Sequence, residues 1–148
     1  GGGIPTLDAP LDGGFFMQPT VISDVSNDMR VAQEEIFGPV AVVIPFKDEA
    51  DAIHKANDVP YGLGSAIWTR DVARAHRVAA QIQAGMTWIN DHHRLDPASP
   101  WGGVKESGVG REGGWESFHE FTEIQSITVR TAEEDGDWYS DPEPTRLN

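Results

Sequence analysis

Apolar residues along this chain switch between two spacings. Val40-Ala41-Val42-Val43-Ile44-Pro45-Phe46 is a continuous apolar run, the pattern of a strand buried on both faces, as in a parallel sheet. Ala50, Ile53 and Ala56 then fall at helical spacing, and Asp48 stands where a side chain can accept from the first free amides. Asn57-Asp58-Val59-Pro60 ends that helix, because proline cannot continue it. Ser65-Ala66-Ile67-Trp68 reads as a short strand. Val72, Ala75, Ala79 and Ile82 form one apolar stripe of a second helix, capped by Thr69 or Asp71. Gly85 sits where a left-handed residue at a helix end is expected, and Met86-Thr87-Trp88-Ile89 is the next strand. Strand, helix, strand, helix, strand with short links predicts an α/β fold with a partial doubly wound parallel sheet.

The flanks are less periodic. Residues 1–14 are rich in Gly, Pro and Asp and read as loop. Pro19-Thr20-Val21-Ile22 is β-rich, and 26–39 is mixed, with an acidic turn at Glu34-Glu35. After Asn90, a loop from Asp91 to Val104 precedes a short helix within Glu112–Glu120. Gln125-Ser126-Ile127-Thr128-Val129-Arg130 alternates as a C-terminal β-strand should. From Ala132 to Asn148 the chain carries six acidic residues and two prolines, which reads as a solvated extension. The expected organisation is an α/β unit over 1–125, a strand over 126–131 and an acidic tail over 132–148.

Charge and composition remove several functions. The 24 acidic residues against 11 basic ones give a net charge of −13, which repels nucleic-acid phosphates and anionic membranes. Neither is an expected partner. There is no cysteine, so these residues offer no disulfide, zinc-thiolate site or thiol nucleophile. No apolar stretch approaches the roughly 20 residues that span a bilayer. Gly1-Gly2-Gly3-Ile4-Pro5 lacks the basic and apolar regions of a signal peptide. The glycines without a methionine suggest an internal cut, and the cytoplasm is the expected location.

Three motifs carry candidate chemistry. In Gln33-Glu34-Glu35-Ile36-Phe37-Gly38-Pro39-Val40, a carboxylate can accept from the two adjacent hydroxyls of a ribose, an aromatic can lie on a flat face, and Gly-Pro fixes the turn. Taken alone it reads more readily as a solvated acidic pair before a turn. Gly85-Met86-Thr87-Trp88-Ile89-Asn90 ends in an amide that orders neighbouring loops or simply caps a turn. In Pro100-Trp101-Gly102-Gly103-Val104-Lys105-Glu106-Ser107-Gly108-Val109-Gly110-Arg111-Glu112, the glycines permit tight turns and close approach. Trp101 could line a binding site or only close a core. Gly108-Val109-Gly110-Arg111-Glu112-Gly113 matches the dinucleotide fingerprint G-x-G-x-x-G literally, but the residues before it are glycine-rich, not a buried strand, and the match is rejected. His92 and His93 are adjacent, point apart in an extended chain and lack a third ligand at metal spacing, so no metal is expected.

Together the three motifs resemble the C-terminal portion of the NAD(P)-dependent aldehyde dehydrogenases, from near Gly1 to about Thr131. The resemblance implies the second half of the catalytic domain plus the strand of an oligomerisation arm. It assigns Glu35 to the nicotinamide ribose and Phe37 beside it, with NAD or NADP as cofactor. Trp101, Leu95 and His92 would border the channel for an aldehyde substrate, whether aromatic or betaine-type as in bacterial relatives. Asn90, Gly102 and Gly103 would be structural. The family's cysteine nucleophile, general-base glutamate and nucleotide-binding fold have no match here, so no catalytic residue is assigned. The complete enzyme forms a thiohemiacetal, passes hydride to NAD(P)⁺ and hydrolyses the thioester. This chain alone is expected to be inactive. The resemblance also implies a homo-oligomer, or pairing with a missing N-terminal portion, with Trp101 unusually exposed. The alternative is a stand-alone, non-catalytic assembly or interaction module of the same fold.

Overall fold

The computed structural model describes residues 1–131. Its elements are β1 (Thr20–Ile22), α1 (Arg30–Gln33), β2 (Val40–Val42), α2 (Glu49–Asn57), β3 (Tyr61–Gly62), β4 (Gly64–Ile67), α3 (Val72–Ala79), β5 (Met86–Ile89), β6 (Val104–Lys105) and α4 (Gly114–Glu120). A parallel pair of strands needs a crossover between them. Here β1 and β2 pair in parallel around α1, and β4 and β5 pair in parallel around α3.

These units start where the side chains cap. Asp48 accepts from the Asp51 amide at 2.9 Å and Asp71 from the Arg74 amide at 3.0 Å, so each aspartate satisfies a donor that the first helical turn leaves open. Of the two caps foreseen for α3, Asp71 takes the position, and Thr69 instead accepts from the Asp71 amide at 3.1 Å. Glu49 joins the helices by accepting from the Arg77 guanidinium at 2.7 and 2.8 Å, with Arg74 at 3.3 Å.

The expected α/β unit with parallel strand pairs is present, but among the described residues its strands do not join into the expected partial doubly wound sheet. The strands make three two-stranded ladders: β1 with β2, β4 with β5, and β3 with β6 antiparallel. The amides of Gly85 and Met86 donate to Gly62 and Leu63 at 3.0 and 3.1 Å, which stitches the second and third ladders together. The Val40–Phe46 run is a strand only to Val42, and Val43 and Phe46 are exposed. Val25 and Ala75 are the only buried hydrophobic residues among those described. Among the described residues no second layer covers the first, so an apolar run suited to a two-sided interior stays open on one side.

Two further expectations change. Gly85 is not left-handed, since α3 ends at Ala80 in ordinary helical conformation. It is instead a point of close approach, where a Cβ would overlap the Gly102 carbonyl oxygen and stand 3.2 Å from Gly103 Cα. Gln125–Arg130 forms no strand among the described residues, and Ile127 and Val129 are exposed. An alternating segment needs a neighbouring strand to become a ladder, and none pairs with it among the described residues. The expected acidic tail, 132–148, lies outside the described residues.

Candidate functional site

Two clefts meet at the predicted motifs. The first encloses about 370 Å³ between the end of α1 and the β6 turn, lined by Glu34, Glu35, Tyr61, Leu63, Glu106 and Ser107. The second encloses about 400 Å³ along the Gly-rich loop, where Trp101, Gly102 and Gly103 face Phe121. Leu63 and Ser107 line both, so the clefts adjoin.

The two glutamates differ in their partners. Arg30 holds both oxygens of Glu34 at 2.8 Å, one helical turn away. Glu35 is exposed and its carboxylate has no partner among the described residues. A carboxylate keeps its full accepting capacity only when nothing in the protein uses it. Phe37 is 94% exposed with φ of 52°, a backbone region costly for a residue with a Cβ. Its ring is therefore presented outward by a conformation that local preference does not favour. Glu35 and Phe37 together offer an acceptor and a flat apolar face, and both suit a sugar.

Trp101 corrects one expectation: it is half-buried, not unusually exposed. The Trp101 and Glu112 backbones exchange hydrogen bonds at 2.6 and 2.7 Å, closing 101–112 into a loop. Arg111 fills the loop and donates to the Gly103 and Gly110 carbonyls at 2.8 and 2.6 Å. Gly103 is buried, and a Cβ there would stand 2.5 Å from the Ser107 Cβ. The rejected fingerprint is confirmed as a decoy, since it follows the two-residue antiparallel strand β6 and runs into α4 at Gly113.

Asn90 has φ of 54°. Its side-chain oxygen accepts from the Thr69 amide and its side-chain nitrogen donates to the Thr69 carbonyl, both at 2.9 Å. The amide thus extends the β4–β5 ladder by one pair at the point where the backbone leaves it. Asn90 and Thr69 line a separate cleft of about 610 Å³ with Trp68 and His76.

The histidines do not point apart. His93 has φ of 58°, so the chain is not extended there. The His92 and His93 rings lie 5.9 Å apart, and both meet Trp88, at 5.7 and 6.2 Å. Trp88 also donates from Nε1 to the Arg94 carbonyl at 2.8 Å, pinning the loop that carries His92 and Leu95. Both are exposed, and neither lines the clefts of Glu35 and Trp101. No group of three or more metal-ligating side chains occurs among the described residues. Sequence reasoning passed over Lys105, Ser107 and Arg111 as anchors of the Gly-rich loop, although all three lie inside the quoted motif.

Comparison with known proteins places the chain in a family. The aldehyde dehydrogenase family profile matches residues 1–127. The 2-aminomuconic semialdehyde dehydrogenase of Danio rerio is 50% identical over 132 residues, covering 88% of this chain and 27% of the relative. The 2-hydroxymuconic semialdehyde dehydrogenase of Pseudomonas putida is 49% identical over 130 residues, again 88% of this chain and 27% of the relative. The crystal structure of betaine aldehyde dehydrogenase from Staphylococcus aureus in complex with NAD⁺ superposes with a TM-score of 0.85 at 42% identity, covering 93% of this chain and 27% of that one. This chain therefore spans about a quarter of the length of the relatives it matches. By the extent of the family match and the identity to these relatives, the chain belongs to the aldehyde dehydrogenase family.

Proposed function

We propose that these residues serve an NAD(P)-dependent aldehyde dehydrogenase as the ribose wall of the cofactor site and one wall of the aldehyde channel. The observation that carries this is the contrast between Glu34, held by Arg30, and Glu35, unpartnered at a cleft that adjoins Trp101. In this reading Glu35 accepts from the two ribose hydroxyls, and Phe37 limits the sugar's movement. NAD(P)⁺, when bound, supplies the hydride acceptor. Trp101 offers an apolar wall suited to a flat conjugated or aryl aldehyde and to a quaternary ammonium. Leu95 and His92 border the entrance on the loop pinned by Trp88. Asn90, Gly102 and Gly103 hold the loops in place.

The family chemistry needs a thiolate, and these 148 residues contain no cysteine. The nucleophile and general base come from residues outside them, and the isolated chain is inactive. Exposed apolar side chains support the need for a covering partner: Phe15, Phe37, Phe121 and Ile124 are each at least 88% exposed. The rest of the enzyme, and a second subunit against 126–131, would cover such surface.

The relatives' names point to muconic semialdehydes and betaine aldehyde as the compounds to try first. The test is NADH formation with these and with aromatic aldehydes, using the 148-residue chain and the full-length product of its gene. Turnover in the full-length product alone supports the reading and identifies the substrate. Turnover by the 148-residue chain, or by neither sample, would sink it.

A further inference from the structure

Four consecutive backbone carbonyls at the end of α2 are claimed from two directions. Lys105 Nζ donates to the Asn57 and Val59 carbonyls at 2.6 and 3.1 Å. The Asp58 carbonyl accepts from the side-chain amides of Asn27 and Gln33, both at 2.9 Å. The Glu106 amide donates to the Pro60 carbonyl at 3.0 Å. Gln33 is the last residue of α1 and immediately precedes Glu34 and Glu35. Lys105 is the last residue of β6 and is two positions before Ser107, which both clefts share. One turn, 57–60, therefore ties the segment presenting Glu35 to the loop presenting Trp101.

Lys105 holds an unfavourable backbone for this. Its φ is 55°, where a residue with a Cβ is strained and persists only if its surroundings fix it. Its ammonium sits on the Asn57 carbonyl, one of those the end of α2 leaves without a helical donor and where a cation is favoured, and on Val59 just beyond it. The next residues continue the zipper: Ser107 Oγ accepts from the Gly62 amide at 2.9 Å. Nothing in this arrangement requires Lys105 to touch a ligand.

We infer that Lys105 is a positioning residue, which acts through the carbonyls of 57–60 to set the spacing between the Glu35 wall and the Trp101 wall. The inference rests on the function proposed above. Its consequence is a coupling between two places that do not touch: losing the ammonium loosens the Gln33 side of the turn as well as its own.

The test uses Lys105→Met, Lys105→Arg and Gln33→Ala in the full-length product, with two readouts. The first is hydrogen exchange. Lys105→Met should speed exchange at Gly62 and Glu106, and also in 30–38, which contains the Glu34 amide bonded to the Arg30 carbonyl at 2.9 Å. Faster exchange confined to 60–62 and 104–107 would overturn the inference. The second is kinetic. Lys105→Met should raise the NAD⁺ KM and lower kcat by about tenfold each, within the roughly hundredfold that a 1 Å misplacement costs. Lys105→Arg, which can still donate to both carbonyls, should restore most of both. Adding Gln33→Ala to Lys105→Met should cost less than the sum of the two, because both act on one turn. Lowered thermal stability with unchanged KM and kcat, or strict additivity, would mean a purely structural lysine. If Glu35→Gln leaves the NAD⁺ KM unchanged, the cofactor reading fails, while the exchange experiment still decides the coupling.

Discussion

Replacing Gly85 with alanine places a methyl group where the protein has no room. The new carbon would overlap the Gly102 carbonyl oxygen, stand 2.8 Å from its carbonyl carbon and 3.2 Å from Gly103 Cα. All three atoms are backbone, so no side chain can rotate away. Restoring an ordinary contact of roughly 3.5 Å with that oxygen moves one segment by about 2 Å. The Gly85 amide is itself bonded to the Gly62 carbonyl at 3.0 Å, so the displacement falls on 102–103, next to Trp101. Overpacking of this kind costs about 1–3 kcal/mol, and rigid backbone on both sides puts it near the upper end. At about 3 kcal/mol the folding constant falls roughly a hundredfold. A misplacement of about 1 Å already costs about a hundredfold in kcat/KM, so a larger shift at the channel wall should cost at least that. The assay is a urea unfolding curve and aldehyde kcat/KM for Gly85→Ala in the full-length product. Gly13→Ala is the control, since a Cβ at Gly13 meets nothing within 4 Å, and its midpoint should move by less than about 1 kcal/mol. Parental midpoint and parental kcat/KM in Gly85→Ala would refute the close approach of Gly85 to Gly102.

Three other outcomes follow from the same geometry. Asn90→Ala loses both side-chain bonds to Thr69 and puts a less tolerant residue at φ of 54°, at about 2–3 kcal/mol in urea unfolding; Asn90→Gly relieves the backbone and should cost less. Asp71→Ala removes the cap of α3 and should cost about 1 kcal/mol, read from the same curves. The Arg77 guanidinium, first by hydrogen bonding, holds the Glu49 carboxyl below its ordinary value of 4.5. A folded value below the unfolded one means the pair's contribution is complete above pH 4.5 and fades as pH falls through the folded value. Glu49→Gln should therefore lower the urea midpoint slightly at pH 7, by an amount that shrinks toward pH 3. A gap that widens on acidification would contradict this sign.

What the sequence disclosed depended on whether the cause was local. Asp48 and Asp71 were legible as caps because capping involves only the next three residues. β4 and β5 were legible because a short apolar run followed by a polar cap marks a strand wherever it packs. The β3–β6 pair was not legible: Tyr61-Gly62 and Val104-Lys105 are too short for any period and are defined by each other across the chain. Val40–Phe46 and Gln125–Arg130 were over-read for the opposite reason. Their patterns report what a covering layer or neighbouring strand would bury, and neither lies among the described residues. Glu35 and Phe37 were legible as a motif and the resemblance singled out Glu35, but the pairing of Glu34 with Arg30 was hidden, since nothing in the motif marks Arg30 as its partner. The roles of Lys105 and Gln33 were hidden, because the carbonyls they hold belong to a turn that no side-chain pattern marks.

The central claim is that Glu35, and not its neighbour, meets the cofactor. It is tested most directly by the NAD⁺ KM of Glu35→Gln and Glu34→Gln in the full-length product at saturating aldehyde. Losing a hydrogen bond to a charged acceptor costs about 1.5–3 kcal/mol, so Glu35→Gln should raise the KM by about tenfold or more. Glu34→Gln breaks only an exposed pair with Arg30 and should stay within about twofold. Equal effects, or a larger one from Glu34→Gln, would contradict the account.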